Sequence, residues 1–174
     1  ILGGSFESRL NMNLREDKAW SYGYNSRIRS NTSGDMTFAT SGQVQTDKTA
    51  AAMREILSEI QAFVGERPAV AAELNRVKLN LTRSLPGSFA TNRGFLSSMI
   101  RSASYGLPYD NAEGAPQRIE AVTLDAVEAR ARELLEPDKL TWLIVGDLEK
   151  IESNVRALEY GDVEVWDAYG TRLR

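Results

Sequence analysis

The stretch Ser5-Phe6-Glu7-Ser8-Arg9-Leu10-Asn11-Met12-Asn13-Leu14-Arg15-Glu16-Asp17-Lys18-Ala19-Trp20-Ser21-Tyr22-Gly23-Tyr24 changes its apolar period once, and the change sets the fold. Phe6, Leu10 and Leu14 recur every four residues behind Ser5, a good N-cap, so a short helix is expected to run to about Asp17 with one apolar stripe. From Trp20 to Arg29 the period becomes two: Trp20, Tyr22, Tyr24, Ser26 and Ile28 share one strand face, while Ser21, Asn25, Arg27 and Arg29 share the other. Ser30-Asn31-Thr32-Ser33-Gly34 has turn composition. Beyond it Met36, Phe38, Thr40 and Val44, with Gly42 among them, give a second strand, so the two read as a hairpin.

Downstream the helical period takes over. Met53, Ile56, Leu57, Ile60, Phe63 and Val64 form one face of an amphipathic helix ended by Gly65. Pro68 suits the first turn of a second helix carrying Val70, Leu74, Val77 and Leu81. Pro86-Gly87 is expected to stop or kink it before Phe95, Met99 and Ile100 resume the pattern. Gly106-Leu107-Pro108 breaks the chain, and Ile119 and Val122 mark a short helix. Thr123 caps another, in which Val127, Leu134 and Leu135 face inward. The dense run Leu140-Thr141-Trp142-Leu143-Ile144-Val145 reads as a strand buried on both faces, followed by a short helix over Leu148 to Leu158 and an extended Val163-Glu164-Val165-Trp166. Strands and helices do not alternate regularly, which argues an α+β fold: two layers, with helices on one face of a mostly antiparallel sheet. Three strands are fewer than the ~5–6 of an ordinary sheet, so one or two are expected to lie outside these residues, leaving an edge and an apolar face for a partner.

Length and composition fit one domain over residues 1–174: 42% of residues are hydrophobic, 26% are charged, and the formal net charge is -3. The decisive counts are Cys 0 and His 0. They remove the commonest zinc ligands, the thiol nucleophiles, any Ser-His-Asp triad and any disulfide framework. No run approaches the ~20 apolar residues of a membrane-spanning helix. Ile1-Leu2-Gly3-Gly4 lacks the pattern of a signal peptide, and the chain reads as a piece of a longer one. Absence of cysteine suits a reducing or an oxidising compartment alike.

Chemistry concentrates where the first helix hands over to the first strand. Arg15 in the last helical turn and Tyr22 early in the strand are placed to reach one cleft. The guanidinium offers a fork of donors and the phenol one more, which suits a substrate carbonyl or a developing oxyanion. Neither is a general base at neutral pH, so the pair can bind and polarise but cannot activate water. A plainer reading has Arg15 meeting the helix dipole and Tyr22 as one aromatic of the sheet beside Trp20 and Tyr24. Glu16 and Asp17 are read as a solvated charged turn beside Lys18, and no metal is assigned to this chain. Arg27 and Arg29 could meet phosphates, but without a wider basic stripe a solvated face is the reading, and no nucleic-acid partner is assigned. Gly3-Gly4 and Gly87 belong to no phosphate-loop pattern.

The run Leu2 to Gly23 resembles the signature of the C-terminal, non-zinc half of the pitrilysin (insulinase) family of metallopeptidases, which includes mitochondrial processing peptidase. Asn80-Leu81-Thr82-Arg83-Ser84-Leu85-Pro86 with Thr91-Asn92, Tyr105-Gly106-Leu107-Pro108, Val122-Thr123 and Val145-Gly146-Asp147 follow in the family's order. The resemblance implies a domain that closes over a homologous domain bearing the His-x-x-Glu-His zinc site. That motif has no counterpart here. It also implies that Arg15 and Tyr22 are the family's substrate-binding pair. Ala19 departs from the pattern, which has glycine there.

The expected function is therefore that of a catalytically incomplete domain or subunit, inactive alone, that binds and orients a peptide for zinc held by a homologous partner domain or subunit. Two alternatives stay open: a non-proteolytic structural or assembly module of the same fold, and an acidic peptide-binding domain unrelated to proteolysis.

Overall fold

Leu10 and Leu14 are wholly buried, as their spacing requires, but the helix carrying them starts at Arg9 rather than near Ser5. The structure, a computed structural model, describes residues 1–30, 34 and 36–174. Helix α1, Arg9–Asn11, continues directly into a π-helical turn, Met12–Asp17, in which the Lys18 N–H donates to the Asn13 carbonyl at 3.0 Å. The wider turn keeps a four-residue spacing on one face. Phe6 lies before the helix and is exposed, so it leaves the apolar stripe expected of it.

Strand β1, Ser21–Ser30, pairs antiparallel with β2, Met36–Val44, so the expected hairpin forms. The turn expected at Ser30–Gly34 falls mostly outside the described residues. Phe38 and Val44 of β2 and Tyr24 of β1 face the core, and burial raises the Tyr24 phenol above the usual tyrosine range. The Tyr24 ring covers Gly42, where an added Cβ would lie 2.3 Å from its Cδ2. Along the other edge of β1 the Gly3 carbonyl accepts from the Ser26 N–H at 2.7 Å, a contact so close that only glycine fits at position 3.

Helix α2, Thr49–Val64, supplies most of the core. Its Ala52, Ile56, Ile60 and Phe63 pack against Leu10, Leu14 and Tyr24. Arg9 ties α1 to the next helix, α3, Ala71–Ser88, through Glu73: Nε to Oε1 at 2.7 Å and Nη2 to Oε2 at 2.8 Å, with further bonds to the Arg67 and Pro68 carbonyls. Pro68 thus precedes the helix instead of opening it, and Glu73 accepts from the Val70 N–H to close the first turn. Pro86 does not stop α3, because it sits in the last turn, where only one bond back along the helix is lost.

The remaining helices are α4, Asn92–Ser104, capped by Thr91; α5, Ala115–Glu120; α6, Leu124–Leu134, capped by Thr123; and α7, Leu148–Arg156. Ala131 and Leu135 at the end of α6 join the core. Seven helices against a two-stranded antiparallel sheet, among the described residues, make the α+β fold expected from the sequence.

The expected interior strand Leu140–Val145 is corrected. Leu140 and Trp142 pack on the core, but Leu143 and Val145 are 90% and 92% exposed. The segment is extended and pairs with no strand among the described residues, so only one of its faces is covered. Val165 and Trp166 do pair, with the tail: the Leu173 N–H donates to the Val165 carbonyl at 2.7 Å.

Candidate functional site

Arg15 and Tyr22 meet at the surface. The Arg15 Cζ lies 5.0 Å from the Tyr22 ring centroid and 4.7 Å from that of Phe6, so the guanidinium is held against two aromatic faces. Its Nε also reaches Glu16 Oε1 at 3.1 Å. At half-exposed positions such contacts contribute about 0.5–1 kcal/mol each, enough to bias a rotamer without consuming all five donors. Tyr22 is 89% exposed and, among the described residues, its hydroxyl has no protein partner.

Alternation alone puts Tyr22 on the face of Tyr24, and the structure corrects this. Ser21 pairs with Val44 but Tyr24 pairs with Gly42, so β1 carries one extra residue across Tyr22 and Gly23. The Ser21 hydroxyl fixes this bulge, bonded to the Gln43 carbonyl at 2.7 Å and the Gly23 N–H at 3.1 Å. A bulge re-aims the side chain it carries, and here it turns Tyr22 outward while Tyr24 stays inside.

Asn11 is the positioning residue that sequence reasoning missed. Buried, it donates from Nδ2 to the Phe6 carbonyl at 2.7 Å and accepts at Oδ1 from the Tyr24 N–H at 2.9 Å. One side chain thereby fixes both the loop that bears Phe6 and the strand just past the bulge. Phe6, Tyr22, Asn11 and glycines 3, 23 and 42 line an open depression of about 510 Å³, and Arg15 touches two of those side chains. Phe6 was hidden from sequence reading by its apparent place in the helical stripe.

Ala19 has φ +53°, the left-handed region where glycine is the unstrained residue. Glycine in the family pattern thus has a physical reason, and this chain tolerates alanine in the same turn. Arg27 and Arg29 lie on the exposed part of β1, with Arg27 Nη2 3.5 Å from Asn25 Oδ1. Glu16 and Asp17 are exposed. Among the described residues no group of three His, Cys, Asp or Glu side chains is arranged to hold a metal ion.

Fold and site together define an α+β domain that offers hydrogen-bond donors at its surface and holds no metal-binding cluster among the described residues. Residues 1–81 match the family model described as the peptidase M16 inactive domain, and over those residues the resemblance to the non-zinc half of the pitrilysin family is borne out. No curated protein matches the sequence.

Among solved structures, a peptidase M16 inactive domain from Pseudomonas fluorescens is 23% identical over 80% of this chain and 33% of that one, with a TM-score of 0.71. A protease from Helicobacter pylori is 14% identical over 79% and 32% of the two chains, with a TM-score of 0.68. The periplasmic protease PqqL from Escherichia coli is 16% identical over 72% and 14%, with a TM-score of 0.61. At these identities the likeness shows the fold. The chain spans about a third of the length of the Pseudomonas structure.

Proposed function

We propose that this domain binds and orients a peptide for a zinc site on a homologous partner domain or subunit, and that Arg15 and Tyr22 are the donors it contributes. The observation that carries this reading is the outward Tyr22 hydroxyl, unpartnered among the described residues, beside an Arg15 guanidinium braced by two rings. A pair serving only the sheet would be turned inward, as Tyr24 is. Gly4 and Gly23 at the depression, whose Cβ positions are not filled by the chain's own packing, let an extended peptide approach the backbone closely. Neither side chain can deprotonate water, so the nucleophile must be activated on the partner.

The exposed area supports a domain that works under cover. It amounts to 12074 Å², whereas a compact monomer of this mass exposes about 8,500 Å². The difference is of the order of an obligate interface.

The test is Tyr22→Phe and Arg15→Ala in the assembled peptidase. Loss of one oxyanion donor lowers kcat by about 10²–10³, and kcat/KM should fall with zinc content unchanged. Wild-type kinetics in both variants reject the assignment.

A further inference from the structure

From Leu140 to Gly146 no main-chain N–H or C=O takes part in a main-chain hydrogen bond among the described residues. The segment is nevertheless extended and laid on the rest of the chain by alternate side chains: Leu140, Trp142 and Ile144 are partly covered, while Thr141, Leu143 and Val145 are exposed. At 90% and 92% exposure, Leu143 and Val145 present main chain as well as side chain to solvent. Water satisfies the open N–H and C=O groups but gains nothing from two bare apolar side chains. A strand laid alongside does both, by taking up the ladder and packing against the outward residues. Exposed edges are commonly guarded by Lys, Pro or a bulge, and Leu140–Val145 contains no charged residue, proline or glycine.

The occupant is written in the same segment. Antiparallel pairing of two copies keeps covered side chains beside covered ones only when the two-fold axis passes through a residue. With the axis at Leu143, Leu143 faces its counterpart, Thr141 faces Val145 of the second copy, and Trp142 faces Ile144, so every pair is neutral. The same register sets Lys139 against Asp147 at both ends of the strand pair. Within its own chain each is held only by an exposed neighbour three residues away, Glu136 and Lys150 respectively. Moving the axis to Trp142 sets Lys139 against Val145 and Asp147 against Pro137, and parallel in-register pairing sets Lys139 against itself. The chain exposes 12074 Å², about 3,500 Å² more than a compact monomer of its mass, whereas a standard interface buries about 1,200–2,000 Å² in all.

We propose that Leu140–Val145 is a dimerisation edge, paired antiparallel with the same segment of a second copy of this chain about a two-fold axis at Leu143. The inference stands on this edge and is independent of the role given to Arg15 and Tyr22.

Sedimentation velocity of the full chain between about 1 and about 200 µM should show a monomer passing to a dimer and to nothing larger, because a two-fold contact closes on itself. Amide exchange between Thr141 and Val145 should slow on alternate residues as concentration rises. Leu143→Lys changes a side chain that touches little of its own fold and places two ammonium groups on the axis, so it should raise the dimer Kd at least about tenfold. Lys139→Glu and Asp147→Lys should each weaken pairing about tenfold, since each puts like charges together at both ends. Mixing those two variants should restore it, because the mixed dimer has opposite charges at both ends. A monomer throughout the range overturns the proposal, and is the result expected if a strand of another protein takes this edge. An assembly larger than a dimer, a dimer unaffected by Leu143→Lys, or a mixture that pairs no better than its components overturns it as well.

Discussion

Replacing Ala19 by glycine removes a Cβ from a left-handed residue, φ +53°, at the turn between Arg15 and Tyr22. An L-residue there costs about 1–2 kcal/mol relative to its preferred conformations. Glycine relieves that cost but loses about 0.5–1 kcal/mol through its greater freedom in the unfolded chain. The position is exposed, so no packing is lost, and its carbonyl keeps its bond from Gln45 Nε2 at 3.1 Å. The net expectation is a gain of about 0.5–1 kcal/mol. For a chain of this length that raises Tm by about 1–4 °C, readable by scanning calorimetry and by the midpoint of urea unfolding. Ala19→Val, branched at Cβ, should fall below the parent by at least about 1 kcal/mol. If Ala19→Gly instead loses stability, as it does at an ordinary helical position, the left-handed turn is not held and the argument is refuted.

Asn11→Ala leaves the buried Tyr24 N–H without its acceptor and should cost about 1–3 kcal/mol; hydrogen exchange at Tyr24 should accelerate, and unchanged protection would deny Asn11 its bridging role. Gly42→Ala places a methyl 2.3 Å from Tyr24 Cδ2 and 2.7 Å from the Gly23 carbonyl. It should lower the urea midpoint by an amount equivalent to about 1–3 kcal/mol, and a neutral outcome would place the Tyr24 ring elsewhere. The hydrogen bond from Arg9 holds the Glu73 carboxyl below its ordinary range. A carboxyl depressed in the folded state stabilises above the unfolded value, about 4.3, and that contribution is lost as pH falls through the lower folded value. Stability should therefore decline below about pH 4.5, and Glu73→Gln should flatten part of that decline. A pH-independent loss in the variant would contradict the ion pair.

The fold was legible where period and burial agree. Leu10 and Leu14 are buried at their four-residue spacing, α2 buries the face read from its apolar positions, and Thr123 caps the helix that follows it. Leu140–Val145 misled for a specific reason. A run of apolar residues reports that something apolar faces both sides, but not whether the neighbour lies in the same chain, and Leu143 and Val145 find none among the described residues. The burial of Glu59 escaped notice because it sits on the otherwise apolar, buried face of α2, flanked by Ile56, Ile60 and Phe63. Only its packing shows that one oxygen lacks a donor.

The site itself was legible in composition but not in orientation, and the two departures from regular structure explain why. The π-helical turn Met12–Asp17 adds one residue to the helix before Ala19, and the bulge at Tyr22–Gly23 adds one to the strand after it. Each insertion leaves the neighbouring apolar residues in register with the core, Leu10 and Leu14 on one side and Tyr24 on the other. Each also rotates the residues it contains relative to a regular element. A pattern count averages over the phase that a single insertion changes, so it placed Tyr22 on the strand face of Tyr24. With one insertion on each side of a left-handed residue, guanidinium and ring lie 5.0 Å apart. Irregularities of this kind weaken hydrogen-bond ladders and are kept where they aim a side chain. Deleting Gly23 should therefore regularise β1, turn Tyr22 inward and separate it from Arg15 with little loss of the hairpin. A structure of that variant in which the pair stays together would show that the bulge does not aim it.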